Sequence, residues 1–341
     1  MPTHRVLCAL AVVLAGCAGR YGGKALDKPK PPSGGIEGAA LPYQILDART
    51  GRQIDTANFW VQLGQARAVC IGEDHSNPHH HWAQLEIVKQ LAAKKPSNVR
   101  LALGLEMVQR PFQGVLDDFG AKRIDAAALR SRVGWDERWG YDYGFYGPTL
   151  DAAVAGGAQL LALNAARELT KKVSHNGLES LSAEDRAQLP ELDLKDAKHR
   201  AWFDALMESM GGTAAHSKKP DAEAPTDSPH EAPPPMPTAE QIYTVQVIWD
   251  ESMADGATRW LTANPTGHVI ILAGNGHCHD SAIVNRIKRR GIAQVVSVRP
   301  VLDTDASEVL AQPMNDYAFV LAVPEAMKAK MKAEEEAAEK N

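Results

Sequence analysis

Short apolar runs alternate through most of the chain with longer segments in which apolar residues recur every three or four positions. The short runs predict buried strands, and the longer segments predict amphipathic helices. The predicted strands cover residues 43–47, 67–71, 99–105, 158–163, 268–273, 294–298 and 317–323. The main predicted helices cover residues 56–65, 78–93, 111–119, 126–133, 149–155, 197–210, 238–263 and 280–290. Strands that alternate with helices indicate a three-layer α/β/α fold with a mainly parallel central sheet.

The first core strand is followed by a turn that carries polar side chains. The apolar run ends at Gly72, and Glu73 and His75 follow it. Asn77 then precedes Pro78, which is typical of a helix start, because asparagine caps helices and proline fits their first position. We therefore expect Glu73 and His75 in a strand-to-helix turn at the carboxyl edge of the sheet, where ligands bind in open α/β folds.

Three other predicted strands also end in polar groups. They are followed by Glu106, Asn164 and His277, and His277 lies three residues after Gly274 just as His75 lies three residues after Gly72. The carboxyl ends of parallel strands share one edge, so these groups are expected to meet. Two imidazoles and two carboxylates at one edge could bind a metal ion or place a general base. Each residue taken singly is more often a capping or packing group, so the prediction depends on their joint placement.

Other histidines and aromatic residues surround these strand ends in the sequence. His81 shares an apolar helix face with Leu85, which predicts packing, whereas His79 and His80 are expected to face solvent. His279 follows the second turn, where helix capping competes with ligation. An aromatic block over residues 135–148 either packs over the sheet edge or supplies a phenolate or a stacking wall through Tyr141, Tyr143 or Tyr146. A tyrosine oxygen can hold ferric haem iron.

The first 17 residues have the features of an export signal. A basic start precedes an apolar run over residues 6–14, which is too short to span a membrane. The run ends in Leu-Ala-Gly-Cys at Cys17, which resembles a bacterial lipobox; a plain signal peptide is the alternative. We predict a lipoprotein signal over residues 1–16, lipidation of Cys17, and anchoring to the outer membrane on its periplasmic or surface face.

The remaining cysteines and the low-complexity segments complete the predicted organisation. Cys70 and Cys278 could form one disulfide in an oxidising compartment, but two buried thiols are the favoured interpretation. The net charge of −5, without a basic patch, argues against nucleic acid as a partner. The predicted segments are a flexible tether over residues 17–40, one domain over residues 41–323 with a low-complexity insertion at 211–237, and a charged tail over residues 324–341.

The sequence resembles the haem-binding lipoproteins called ChaN, of the superfamily that includes the Tiki proteases, TraB and the erythromycin esterases. The matching pieces are Gly72-Glu73-Asp74-His75, Asn77-Pro78, His81, Leu105-Glu106-Met107, the aromatic block, Ala162-Leu163-Asn164, Arg167, Gln246, Trp249-Asp250, Met253-Ala254 and Gly274-Asn275-Gly276-His277. The resemblance implies a three-layer α/β fold, haem or iron binding at the bacterial surface, and pairing of two chains around stacked haems. It also implies that Glu73, His75, Glu106 and His277 match positions with metal or hydrolytic chemistry in relatives, and Tyr146 is the best candidate for the iron-binding tyrosine.

Two functions from different classes follow, and whether the chain is an enzyme stays open. The favoured function is a non-enzymatic, lipid-anchored binder that holds haem or its iron for uptake through a receptor, with a homodimer as one expected state. Its predicted haem-binding residues are Tyr146, His75, His277, His81, Trp135, Asn164 and Arg167.

The alternative is a hydrolase in which His75, Glu106 and His277 hold zinc, cobalt or manganese and Glu73 activates water. The sequence contains neither a nucleophile elbow nor a zincin motif. A scaffold that keeps the fold and has lost its ligand is the third interpretation.

Overall fold

The computed structural model describes residues 30–209 and 236–338. The predicted signal, Cys17 and most of the predicted insertion, with His216 and His230, lie outside the described residues. Within the range predicted as one domain, the described chain forms two compact units. The larger unit contains residues 30–164 and 253–338, and the smaller unit contains residues 165–209 and 236–252.

An eight-stranded sheet forms the centre of the larger unit. Its strands are β1 (Tyr43–Asp47), β2 (Gln53–Ile54), β3 (Ala68–Ile71), β4 (Leu101–Gln109), β5 (Gln159–Asn164), β6 (His268–Leu272), β7 (Val295–Leu302) and β8 (Tyr317–Leu321). Their order across the sheet is β2-β1-β8-β7-β3-β6-β4-β5. The six strands from β8 to β5 are parallel, and β1 and β2 are added antiparallel at one side. The predicted α/β fold with a mainly parallel sheet is confirmed.

Helices cover both faces of this sheet. Every residue of β3, β4, β6 and β8 is buried, and because successive side chains of a strand point to opposite faces, neither face is open to solvent. The helices of the larger unit are α1 (Thr56–Gln65), α2 (Pro78–Lys94), α3 (Gln113–Gly120), α4 (Ala126–Val133), α5 (Trp135–Arg138) and α6 (Gly147–Ala155) before the smaller unit. After it come α11 (Ile283–Arg289), α12 (Ala306–Ala311) and α13 (Glu325–Ala338).

The smaller unit is helical. It contains α7 (Arg167–Asn176), α8 (Ala183–Ala187), α9 (Ala197–Ser209) and the first part of α10 (Ala239–Ala263), whose residues from Met253 onward belong to the larger unit. Two apolar clusters stabilise it, one around Val173 and Ile248 and one around Phe203 and Tyr243. Among the helices of the described ranges, none has the length and apolar character that crossing a membrane requires.

The packed part of the larger unit begins earlier than predicted. Ile36–Ala39, within the predicted tether, forms a 3-10 turn in which Ile36 and Ala39 are buried. The Ala39 carbonyl lies 2.7 Å from Nδ1 of His79, at the start of α2. At the other end of the chain, the charged tail is helical from Glu325, and Lys328 pairs there with Asp303.

A disulfide joins Cys70 of β3 to Cys278, which follows β6. The favoured interpretation of two free thiols is therefore wrong. Both residues are buried, as predicted, but 208 positions separate them and only the pairing of β3 with β6 brings them together. The bond ties the turn after β6 to the neighbouring strand.

Candidate functional site

The site is built where β3 and β6 end side by side. Their last residues, Ile71 and Leu272, are paired in parallel register, so the turns that follow leave the same edge of the sheet. We call residues 72–77 the first histidine loop and residues 273–279 the second histidine loop. Asn77 ends the first loop by accepting a hydrogen bond from the backbone of His79 through its side chain, and Pro78 is the first residue of α2, as predicted.

The two histidine loops interlock through their glycines. A Cβ atom at Gly72 would overlap the side-chain amide of Asn275 in the second loop. A Cβ atom at Gly274 would lie 3.0 Å from Cε1 and Nε2 of His75 in the first loop. The Asn275 backbone N–H also donates to the Glu73 carbonyl at 2.8 Å. Each glycine therefore makes room for a side chain of the other loop, which is the close approach that glycine permits.

A buried carboxylate lies beneath His75. Oε1 of Glu73 is 2.6 Å from Nδ1 of His75 and accepts a hydrogen bond of 2.8 Å from the Tyr146 hydroxyl. Oε2 is 3.5 Å from Nδ1 of His81. The Glu73 side chain is fully buried, whereas the His75 side chain keeps 13% of its surface exposed. Glu73 thus contacts the side chains of His75, Tyr146 and His81. Of these four residues, His75 is the one that reaches the surface.

The charges of this group follow from its contacts. Burial by itself would raise the pKa of Glu73, but the nearby His81 and the hydrogen bonds from His75 and Tyr146 lower it to about 2. Burial would lower the pKa of His75, but the hydrogen bond with Glu73 and the negative charges of Glu73, Glu106 and Asp74 together raise it. For His81 burial prevails and lowers the pKa. Glu73 is therefore an anion at neutral pH.

A second carboxylate–imidazole pair lies in the next part of the edge. Oε1 of Glu106 is 3.3 Å from Nε2 of His277, and Oε2 accepts a hydrogen bond of 2.7 Å from the Gly274 backbone. Burial would raise the pKa of Glu106, but His277 and His75 lower it. Glu106 lies within β4, which continues past it to Gln109, so the predicted strand end at this residue is wrong. Asn164 closes β5 and donates to the Glu106 carbonyl at 3.0 Å.

The aromatic block covers the edge in two layers. Trp139 and Tyr141 are partly exposed and flank His75, with ring centroids 4.8 Å and 5.1 Å from the imidazole. Trp135, Tyr143, Phe145 and Tyr146 form the buried layer beneath them. Trp135 supports the exposed layer, because its indole N–H donates a hydrogen bond to the Tyr141 carbonyl at 2.7 Å. The outer layer is a surface with one imidazole, one phenol and one indole, and we call His75, Trp139 and Tyr141 the outer face.

The other predicted site residues take different positions. Tyr146 has 1% of its surface exposed, and burial with the Glu73 charge raises its pKa well above the usual value. Its hydroxyl donates a hydrogen bond to Glu73, and this hydrogen bond would have to break before the Tyr146 oxygen could bind an iron ion. His81 is fully buried and stacks on Phe145 at 4.8 Å. Arg167 is the first residue of α7 in the smaller unit.

Two histidines next to the site, His80 and His279, are buried. His80 is buried and its Nδ1 accepts a hydrogen bond from the Asp74 backbone, so its predicted exposure is wrong. Burial lowers the pKa of His80 to about 3. His279 is also buried, and its Nδ1 accepts a hydrogen bond from the Ser281 backbone N–H. Three consecutive histidines follow Pro78 in helix α2, and a run of one residue type does not show which of them turn inward.

The predicted metal ligands do not form a ready site for a divalent ion. Within the described part of the chain, no group of three or more histidine, cysteine, aspartate or glutamate side chains is arranged so that it could hold one. His75, Glu106 and His277 lie near one another, but Glu106 is directed to His277 and to the Gly274 backbone. The geometry gives zinc, cobalt or manganese no support here.

Known proteins resemble the chain in fold and in sequence. It is similar to the structure "Cofacial heme binding to ChaN of Campylobacter jejuni", with a TM-score of 0.62 and 20% identity over 82% of this chain and 96% of that one. It also matches a mutant of the erythromycin esterase EreC in its open conformation, with a TM-score of 0.39 and 12% identity over 77% of each chain. A third match is the type III effector HopBA1, with a TM-score of 0.38 and 10% identity over 83% of this chain and 96% of that one.

Comparison of the sequence with family models identifies the family. No curated protein matches the chain. The model of the family described as "Haem-binding uptake, Tiki superfamily, ChaN" matches residues 59–287, a range that includes both histidine loops and the aromatic block. Because this match spans more than half of the 341 residues, the chain belongs to the ChaN haem-binding uptake family of the Tiki superfamily.

Proposed function

We propose that this protein holds haem on its outer face, at the carboxyl edge of the sheet. The observation that carries the proposal is the partly exposed His75 imidazole, held at Nδ1 by Glu73 and flanked by Trp139 and Tyr141. A haem presents a flat apolar ring with one Lewis-acid iron, and it therefore needs aromatic walls and one or two nitrogen or oxygen ligands. The outer face offers both kinds of group within one small area.

The donor set distinguishes the two candidate tyrosines. Tyr146 is buried and already donates to Glu73, whereas Tyr141 is partly exposed and has its ring beside His75. Burial, with the negative charges of Asp74, Glu73 and Glu106, raises the pKa of Tyr141 above its usual value and so favours the neutral phenol. We therefore assign the atom that would meet iron to the His75 imidazole, with Tyr141 as the phenol that would line the haem beside it.

The cellular role extends this proposal. The lipobox-like ending at Cys17 supports a lipid anchor in the outer membrane, from which a haem carrier would pass its cargo to an uptake receptor. Replacement of Cys17 by Ala should release the protein from the membrane fraction and abolish labelling with a radioactive fatty acid. Membrane retention with unchanged labelling would contradict the anchor.

A hemin titration tests the binding function. The full chain, purified without added haem, should give a saturable shift of the Soret band. His75→Ala and Tyr141→Phe should each weaken binding roughly tenfold or more, because the first removes the nitrogen donor and the second removes the phenol beside it. His175→Ala is the matched control, since His175 is a partly exposed histidine of the smaller unit. The absence of a saturable shift, or equal affinities in all four proteins, would overturn the proposal.

A further inference from the structure

We propose that Glu73 is a positioning residue that turns Nε2 of His75 outward and favours ferric over ferrous iron in a haem bound there. This inference rests on the proposed function and assigns a task to a side chain that does not itself touch the ligand. Glu73 is the fully buried carboxylate beneath the outer face, and it joins that face to the buried aromatic layer.

The hydrogen bonds at Glu73 fix the orientation of the imidazole. An ionised carboxylate only accepts hydrogen bonds, and Oε1 has two donors, the Tyr146 hydroxyl and Nδ1 of His75. Nδ1 therefore carries a proton, and in the neutral imidazole the lone pair is on Nε2. That nitrogen lies close to Gly274, 3.0 Å from the position that a Cβ atom there would take, so the absence of a side chain at Gly274 leaves room for it. The nitrogen that can donate to iron is thus the one directed away from Glu73.

The same bond changes the electronic character of His75. An imidazole whose N–H donates to a carboxylate is a more basic ligand through its other nitrogen. A more basic ligand with a negative charge behind it stabilises the higher charge of ferric iron more than that of ferrous iron. Glu73 should therefore lower the reduction potential of the bound haem and keep the iron oxidised.

Tyr146 opposes this effect. Its hydroxyl donates to the same oxygen, Oε1, that accepts from His75, at 2.8 Å against 2.6 Å. The two donors share the negative charge of that oxygen. Removal of the Tyr146 hydroxyl should leave more of this charge for His75 and lower the potential further, whereas neutralising Glu73 should raise it. If Glu73 and Tyr146 only supported the fold, their substitutions would not shift the reduction potential in opposite directions.

Spectroelectrochemical titration of the hemin complex separates these possibilities. Glu73→Gln should raise the midpoint potential, equivalent to roughly a tenfold loss in the preference for ferric over ferrous iron, and Tyr146→Phe should lower it. Tyr143→Phe is the matched control, because it removes a buried phenol oxygen of the same block that has no hydrogen-bond partner among the described residues. Its potential should equal that of the wild type. Shifts of the same sign in Glu73→Gln and Tyr146→Phe, or no shift in either, would overturn the inference.

The protein without haem provides a second readout. Nitrogen-15 NMR of the His75 ring, recorded at a pH high enough for the imidazole to be neutral, should show the proton on Nδ1 in the wild type and a mixture of tautomers in Glu73→Gln. A proton on Nε2 in the wild type would overturn the inference even if hemin binds. If the wild type binds no hemin, the proposed function fails first and the ferric preference fails with it. Binding with unaltered potentials in both variants refutes the inference alone.

Discussion

The two histidine loops share a Gly-x-x-His pattern and lie side by side, yet they hold their imidazoles in different ways. His75 meets Glu73 through Nδ1 at 2.6 Å, which leaves Nε2 on the far side of the ring. His277 faces Glu106 through Nε2 at 3.3 Å, and the other oxygen of Glu106 accepts from the backbone of the second loop. The first loop presents its imidazole to the surface, and the second loop keeps its imidazole turned toward a carboxylate inside the site.

This difference shows how one short pattern supports two tasks. Gly274 makes room for the His75 ring and Gly72 makes room for Asn275, so each loop packs into space that a glycine of the other leaves free. The second loop is in turn held by the disulfide at Cys278 and by Asn315, whose side chain donates to the Cys278 carbonyl at 2.5 Å. We interpret the first loop as the one that offers a donor atom and the second loop as its support.

Loss of the disulfide should have the largest effect, because it releases the supporting loop. The Cys70→Ser/Cys278→Ser double variant should lose about 2–5 kcal/mol in free energy of unfolding, as expected for a crosslink that closes a long loop. Urea denaturation measures this loss. The wild type treated with a reductant should match the variant, and the variant should not respond to the reductant. Equal stability of wild type and variant would show that the second loop does not depend on this bond.

His268 is the first residue of β6, and the second histidine loop follows the last residue of that strand. Substitution of His268 can therefore test the acid sensitivity of the fold without altering the site. Burial lowers the pKa of His268 to about 4, and within the described part of the chain its Nε2 has no hydrogen-bond partner. The folded pKa is below the unfolded value of about 6.5, so the unfolded chain binds the proton first and stability falls as the pH drops from about 6.5 to about 4.

His268→Gln removes this pH-dependent contribution to stability. Between pH 7.5 and pH 5 the wild type should lose about 2 kcal/mol more stability than the variant, and hemin affinity at neutral pH should be the same in both. Denaturation curves at several pH values provide the measurement. Parallel stability profiles for the two proteins would show that His268 is not held neutral by the fold.

The interlock itself predicts a smaller and more local effect. Gly72→Ala and Gly274→Ala should each cost about 1–3 kcal/mol, because the added methyl group displaces a side chain of the other loop. Gly114→Ala, in helix α3 with no neighbour near the new atom, should instead stabilise the protein by up to about 1 kcal/mol. Thermal unfolding of the three variants tests the contrast. A neutral Gly274→Ala variant would mean that the loops do not constrain each other.

Much of the fold could be predicted from the sequence because the signals are local. The apolar run before Gly72 and the Asn77-Pro78 cap place β3 and α2 within a residue or two of their observed bounds. The repeated Gly-x-x-His pattern and the parallel sheet together predict that His75 and His277 share an edge, and their contacts through Gly274 and Glu106 agree with this.

The remaining features depend on tertiary contacts that no local pattern contains. The Cys70–Cys278 bond follows from the neighbouring positions of β3 and β6, which the order of the strands along the chain does not reveal. The aromatic block has no regular period, so the sequence does not distinguish the partly exposed Tyr141 from the buried Tyr146. Strand β4 continues past Glu106 with a register shift against β5 between Leu105 and Gln109, and apolar periodicity gives no sign of this shift.

The most direct test of the two roles compares the hemin complexes of His75→Ala and His277→Ala by absorption and electron paramagnetic resonance. We predict that His75→Ala changes the band positions and the resonance signature, because a ligand atom is lost. His277→Ala should keep both signatures of the wild type and only weaken binding, because the support is loosened. Wild-type signatures in His75→Ala, with altered signatures in His277→Ala, would contradict the assignment of donor and support.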